Sequence, residues 1–117
     1  EAHHTSARFA EGVSEFEHVG LTPWLSDSHP APFVAESRLK IGLELQDIQI
    51  IALNNTELVI GQVVEVNVDK HAVAADGYIA IDRLNTAAVS GLDAYHSTNT
   101  IGRYQYAKAD APVQNIE

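Results

Sequence analysis

Two stretches of alternating residues constrain this chain more than anything else in it. From position 39, apolar Leu39, Ile41, Leu43 and Leu45 alternate with Lys40, Gly42, Glu44 and Gln46, the period-two mark of a strand with one buried face. After Asp47 the apolar parity moves to Ile48 and Ile50, a one-residue change of facing that a β-bulge or bend produces. Asn54-Asn55 then supplies turn residues that tolerate left-handed backbone, and 58–69 reads as the returning strand. Leu58, Ile60, Val64, Val66 and Val68 are expected on one face, with Gln62 the polar exception among them. Val59, Gly61 and Val63 make the other face apolar over the first half of that strand, which is therefore expected to be covered on both sides. The pattern predicts antiparallel pairing of 39–46 with 58–68, with Leu43, Leu45, Ile60 and Val64 turned into one core.

A lone hairpin is marginally stable in water, and two long strands with apolar faces must close against further strands. Nothing else in the 117 residues supplies enough strong strands to complete a barrel. Further polypeptide or an intimate partner is the expectation. The opening Glu1-Ala2-His3-His4-Thr5-Ser6, with no Met at its head or anywhere else, reads likewise as a piece of something longer, with nothing like a signal segment.

Composition narrows the function classes. A hydrophobic content of 45% with 20% charged residues fits one globular domain, and no apolar run approaches the ~20 residues that cross a bilayer. The formal charge of -9, with only seven Lys and Arg, works against nucleic acid and anionic membranes, since phosphate recognition needs clustered cations. Without cysteine there are no disulfides, thiolate nucleophiles, thiolate-held zinc or iron–sulfur clusters; a cytoplasmic setting is compatible with this, and redox chemistry would need a borrowed cofactor. The six His form no HxH or HExxH pattern, so no metal site is expected.

Around the hairpin, residues 1–37 form an arm punctuated by Gly12, Gly20, Pro23, Pro30 and Pro32. A short helix is expected at 4–10. Ser14 with Glu17 fits a capping box opening a further turn through Phe16, His18 and Val19, which Gly20 would stop. The arm's Phe9, Phe16, Leu21, Trp24 and Phe33 lie on chain too irregular to make its own core, and are expected to form part of an interface that the monomer cannot do without. After the hairpin, Asp76-Gly77 marks a turn before a short strand at 78–81. Asp82 is placed to cap a helix running through Arg83, Leu84, Ala87 and Val89 to a stop at Ser90-Gly91. Tyr104 and Tyr106 fall in a last extended piece, and 108–117 reads as a tail. The whole is read as a single domain: arm 1–37, barrel strands and short helix 38–107, tail 108–117.

Several of these pieces recur together elsewhere. His4-Thr5-Ser6, Gly12-Val13-Ser14-Glu15-Phe16-Glu17, Gly20-Leu21-Thr22, Ala35-Glu36-Ser37, Leu58-Val59-Ile60-Gly61-Gln62-Val63-Val64, Asp76-Gly77 and Ser90-Gly91-Leu92-Asp93-Ala94-Tyr95, in this order and spacing, resemble the C-terminal half of the flavin reductase-like, FMN-binding split-barrel family. The resemblance implies a mainly β fold: an antiparallel Greek-key split barrel with short helices, here without its N-terminal half. It implies a homodimer holding FMN near the subunit interface, NAD(P)H as electron donor, electron transfer to flavin, and a flavin-dependent monooxygenase among the partners. Common family members carry Arg-Leu-Gly-Gly before the late Tyr, where this chain has Val89-Ser90-Gly91-Leu92-Asp93-Ala94. The family's basic phosphate-binding segment lies in the half without counterpart here. A non-catalytic flavin- or ligand-binding module on the same barrel, and a structural fragment without flavin, are the rival readings.

On that resemblance the candidate cofactor contacts are His4, Thr5, Ser6 and Tyr95. Imidazole and hydroxyls at 3–6 suit a flavin phosphate or ribityl chain, or simply cap a helix. Tyr95 with His96 offers an aromatic ring with a polar edge for an isoalloxazine, or belongs to core or interface. Trp24, between Pro23 and Leu25 on the arm, suits the entrance of a pocket or packing across a dimer, and is read as packing. Glu15, Glu17, Glu36 and Glu44 could form an acid and base pair, though with sixteen acids a solvated surface explains them, and no catalytic residue is assigned. Asn54-Asn55-Thr56 satisfies a glycosylation sequon but is read as turn chemistry.

Overall fold

The computed structural model describes residues 1–116. The chain divides into two units, Glu1–Asp69 and Lys70–Glu117.

In the first unit, the helix expected at 4–10 is one 3-10 turn, His4–Ser6, after which Ala7 is extended. Thr5 Oγ1 donates to the Ala2 carbonyl at 2.8 Å and Ser6 Oγ to the His3 carbonyl at 2.7 Å. Such local bonds offer the backbone an alternative to helix. Helix α1 (Glu15–Val19) forms as expected, with Ser14 in extended backbone at its start and Gly20 left-handed at its end (φ 73°). The Ser14 side chain makes no capping bond, so the Ser14 half of the expected capping box does not form. Strands β1 (Pro23–Trp24) and β2 (Phe33–Val34) then pair briefly within the arm.

Strands β3 (Leu39–Ile51) and β4 (Thr56–Val68) form the antiparallel hairpin the alternation predicts, turned by Asn55 in left-handed backbone (φ 54°). Its register contains two irregularities. Gly42 opposes Glu65 and Leu43 opposes Val63, which leaves Val64 extra on β4; Leu45 opposes Gly61 and Asp47 opposes Ile60, which leaves Gln46 extra on β3. The bulge at Gln46 accounts for the parity change seen in the sequence. The bulge at Val64 corrects the facing expected for β4. Across from Leu43 stands Val63, while Ile60 opposes Asp47 and Leu58 opposes Gln49, so Ile60 and Leu58 lie on the opposite face from Leu43 and Leu45. Gln62 opposes Glu44 and shares its face with Ile60 and Leu58 toward the turn and with Glu65 and Asn67 toward the other end.

One face thus collects Leu39, Ile41, Leu43, Leu45, Ile48 and Ile50 with Val59, Gly61, Val63, Val66 and Val68. A Cβ on Gly61 would stand 3.0 Å from the Leu43 Cβ, which places both on that side. The other face carries Lys40, Gly42, Glu44, Gln62, Glu65 and Asn67 at its near end, which the arm covers in part, and Asp47, Gln49, Ile51, Leu58 and Ile60 toward the turn. Gly42 is buried because a Cβ there would meet the His29 ring at 2.9 Å and the Phe33 ring at 3.2 Å. His29 stacks on Phe33 (5.2 Å) and Trp24 lies 5.6 Å from Phe33 with the Lys40 ammonium over its ring.

In the second unit, 3-10 turns at Lys70–Ala72 and Ile81–Leu84 enclose a loop turned by Gly77 (φ 86°). The short strand expected at 78–81 reduces to one bridge, Val73 with Ile79. Asp82 lies inside its turn rather than capping it; Ala80 holds the cap position, and Asp82 Oδ1 is buried without a partner. The helix expected to run on through Ala87 and Val89 stops at Asn85, which is left-handed (φ 53°). Residues Ala87–Ser90 are instead strand β5, paired with β6 (Ala94–Ser97), Val89 opposite Tyr95. Cross-strand pairing supplies the backbone bonds that the short Ala-rich segment would otherwise take from a helix. The tail turns back on 103–105: Tyr104 bridges Asn115, and the Ile116 N–H donates to the Arg103 carbonyl.

Little of this is buried. Among the described residues the buried apolar side chains are Ala72 and Leu84, both in the second unit. The accessible surface of 9678 Å² exceeds the roughly 7,500 Å² of two separate, well-packed bodies sharing this mass.

Candidate functional site

The expected cofactor contacts fall in different units. His4, Thr5 and Ser6 sit together on the first 3-10 turn; Tyr95 is on β6 of the second unit. The His4 ring packs into a cluster with Phe9 (5.5 Å) and His18 (5.9 Å), the last two rings 4.8 Å apart. Thr5 borders a shallow cavity of about 300 Å³ with Glu15, Phe16, Leu21 and Val34. With their hydroxyl protons committed to carbonyls, Thr5 and Ser6 keep lone pairs to offer. They present acceptors, whereas a phosphate needs donors.

Tyr95 and His96 are neighbours on one strand, and successive strand residues point to opposite faces. Tyr95 shares its face with Val89; His96 turns to the other, where its Nε2 lies 2.8 Å from Ser90 Oγ. A flat cofactor on one side of this hairpin meets one of the two residues, not both.

The most elaborated polar cluster lies on the arm-covered face and was not foreseen. Glu65 Oε2 accepts from Ser26 Oγ (2.8 Å) and Ser28 Oγ (2.7 Å), and Oε1 from the Asn67 amide (2.5 Å). Hydrogen bonds from Ser28, Asn67 and Ser26 hold its carboxyl below the usual carboxylate range. Beside it, the His29 ring nitrogens lie 3.3 Å from the Ala31 carbonyl and 3.2 Å from the Leu43 carbonyl. The cluster fastens the 26–31 loop to β3 and β4. A carboxylate between Val64 and Val66 was its signal in the sequence.

Glu36, one of the acid and base candidates, is drawn below its usual range by hydrogen bonds from Thr22, whose N–H reaches both oxygens (3.0 and 3.2 Å). Arg103 pairs with Asp76 and stacks on Tyr78 (3.9 Å), holding Asp76 low with help from the Tyr78 N–H. The Lys40 ammonium bonds the Ala35 and Ser37 carbonyls, and Arg83 the His71 carbonyl. Three of the seven cations are therefore occupied in holding chain segments together. Among the described residues no group of three or more His, Asp or Glu is placed to hold a metal ion, and no helix is long and apolar enough to cross a membrane.

Comparison with solved structures finds two proteins. A provisionally assigned flavin reductase with a split barrel domain from Shewanella frigidimarina is 48% identical over 91% of this chain, with a TM-score of 0.85. Flavoredoxin of Desulfovibrio vulgaris is 24% identical over 94% of the chain, with a TM-score of 0.68, a likeness of fold. The chain spans about half the length of each, 54% and 56%. No family model and no curated protein matches it. In sequence and fold the chain resembles the flavin reductase-like split-barrel proteins.

Proposed function

We propose that this chain serves a flavin-binding oxidoreductase of the flavin reductase type, with FMN as cofactor, NAD(P)H as electron donor and a homodimer as the working form. The observation that carries the reading is the 48% identity over 91% of the chain to the Shewanella protein. A cytoplasmic setting and delivery of reduced flavin to a monooxygenase accord with the same reading.

His4, Thr5, Ser6 and Tyr95 remain the proposed contacts from this chain. They do not fit the phosphate of FMN by themselves, because a dianion calls for convergent donors and the Thr5 and Ser6 hydroxyls point theirs at Ala2 and His3. Their role is secondary: the Tyr95 ring, 48% exposed, is available as a stacking surface, and His4 as a ring edge. The chemistry of hydride and electron transfer would belong to the flavin, and no residue of this chain is assigned as its proton donor or acceptor.

A fluorescence-quenching titration of FMN tests the reading. The 117 residues alone should bind weakly, and chain joined to the remainder of a split barrel should bind stoichiometrically and oxidise NAD(P)H. Binding without NAD(P)H oxidation would favour a non-catalytic flavin module; no binding by either would remove flavin from the account.

A further inference from the structure

We infer that the Asp76–Gly77 bond is a site of spontaneous isoaspartate formation, and that the Arg103 guanidinium, brought back to Asp76 from 27 positions along the chain, suppresses the reaction in the folded protein. The site lies wholly within the second unit and needs no assumption about flavin. The modification is intramolecular. The Gly77 backbone nitrogen attacks Asp76 Cγ and a C–N bond forms, while the amide proton and the carboxyl hydroxyl leave as water. The product is a succinimide ring. Water then opens one of its two carbonyls: attack at the former Cγ restores aspartate, and attack at the former backbone carbonyl leaves the chain running through Cβ and Cγ, with the α-carboxylate as side group. No oxidant, reductant or further reagent enters.

The reaction has two requirements: an unhindered nitrogen free to leave its own hydrogen bond, and a protonated carboxyl, because an ionised one repels the nucleophile and has no hydroxyl to lose. Of the seven glycines only Gly77 follows an Asp or Asn, and a residue without Cβ leaves the nitrogen open to the preceding side chain. Both residues are exposed. The fold opposes each requirement in turn. The Gly77 N–H donates to the Ala74 carbonyl at 2.9 Å, inside a turn that the Ala74 N–H closes on the Tyr78 carbonyl at 2.8 Å. The Asp76 carboxyl is engaged at both oxygens: Oδ1 accepts from the Tyr78 N–H at 3.2 Å, and Oδ2 pairs with Arg103. The guanidinium is itself aimed by stacking on the Tyr78 ring at 3.9 Å. Arg103 first, and the Tyr78 N–H after it, hold the Asp76 carboxyl below its ordinary range, which thins the protonated, reactive fraction. The isomer would lengthen the backbone by one atom between Ala74 and Tyr78, so the turn and the Val73–Ile79 bridge would lose their register.

The test is prolonged warm storage of the full chain near neutral pH. Isoaspartate is counted with an isoaspartyl methyltransferase and its methyl donor, and placed by mass spectrometry of the peptide that spans Asp76 and Gly77. Chain unfolded in guanidinium chloride gives the unprotected rate. The native chain should accumulate isoaspartate about tenfold more slowly, and Arg103→Ala should return most of that factor, about one decade for each unit by which the carboxyl rises. Adding Asp76→Glu to Arg103→Ala should abolish the signal, since a longer side chain closes the ring far more slowly. Gln105→Pro deletes the Gln105 N–H bond to the Gln114 carbonyl and loosens the returning segment with Arg103 in place, so its rate should stay near that of the native chain. Exchange of the Ala80 amide, bonded to the Ala72 carbonyl, reports whether the unit stays folded. Where Arg103→Ala frees that amide, Tyr78→Leu decides instead, because it keeps Arg103 and removes the platform that aims it: a faster rate upholds the inference and an unchanged one overturns it. The inference is equally overturned by a native rate equal to the unfolded one, by a folded Arg103→Ala no faster than the native chain, or by Gln105→Pro as fast as Arg103→Ala, since the segment and not the guanidinium then protects the bond.

Discussion

Replacing Gly42 by Ala puts the contact between arm and hairpin to a direct test. The new Cβ would lie 2.9 Å from His29 Cδ2, 3.2 Å from Glu65 Cβ and 3.2 Å from Phe33 Cζ. The first is closer than real Cβ atoms approach; the other two demand shifts of a few tenths of an ångström. Glu65 Cβ is fixed to β4 and cannot swing aside, so the arm must move. Overpacking of this kind costs about 1–3 kcal/mol, which raises the population with the arm released about 5- to 150-fold. Trp24 reports it, being held between Phe33 and the Lys40 ammonium. Its emission should shift to the red, and the Ala35 amide, bonded to the Thr22 carbonyl, should exchange faster by a like factor. Trimming Phe33 to Leu removes one of the three obstacles, so the double variant should lose less than the two single losses added. Unchanged Trp24 emission and Ala35 exchange in Gly42→Ala would refute the docking of the arm on Gly42.

Glu65 makes the same contact sensitive to acid. Its folded carboxyl is held below the ordinary 4.5, so its stabilisation is fully present above the unfolded value and is lost as pH falls through the folded one. The Trp24 shift should therefore appear only on acidification below about 4.5 and should vanish from the pH profile of Glu65→Gln; a profile the substitution leaves unaltered would count against the cluster. Arg103→Ala should release the returning 103–116 segment, seen as faster exchange of the Gln105 and Ile116 amides, and Arg103→Lys should not restore it, since a point charge replaces neither the ion pair with Asp76 nor the stacking on Tyr78. If Lys restores protection fully, the planar guanidinium is not what holds the segment.

The hairpin, its Asn54-Asn55 turn and the Gly20 and Gly77 turns were legible because each rests on local chemistry: period-two alternation or a backbone conformation few residues tolerate. The facing of β4 was not legible. A run such as Gly61-Gln62-Val63-Val64-Glu65 does not disclose which residue is the extra one; that is decided by what each opposes on β3. Ala87–Ser90 failed for a related reason, as Ala and Val there suit helix or strand until Ala94–Ser97 arrives to pair. For the site, types and positions were readable but the direction of hydroxyl protons was not. Thr5 and Ser6 look like donors in sequence and become acceptors once Ala2 and His3 take their protons. The role of Glu65 depends on Ser26 and Ser28, almost forty positions away in the chain.

The paired bulges bear on how this hairpin tolerates changes of length. Gln46 and Val64 each stand opposite no partner of their own, and the pairs beyond them, Asp47 with Ile60 and Gly42 with Glu65, resume in step. Removing either residue closes a bulge and keeps all other pairs and facings, whereas removing Gly61 or Ile48 inverts every side chain out to the turn. Single-residue gaps should therefore collect at these two positions among homologous sequences and be rare elsewhere in the strands. A lineage could lose both in succession, passing only through folded intermediates, and arrive at a straighter ribbon with the same apolar face.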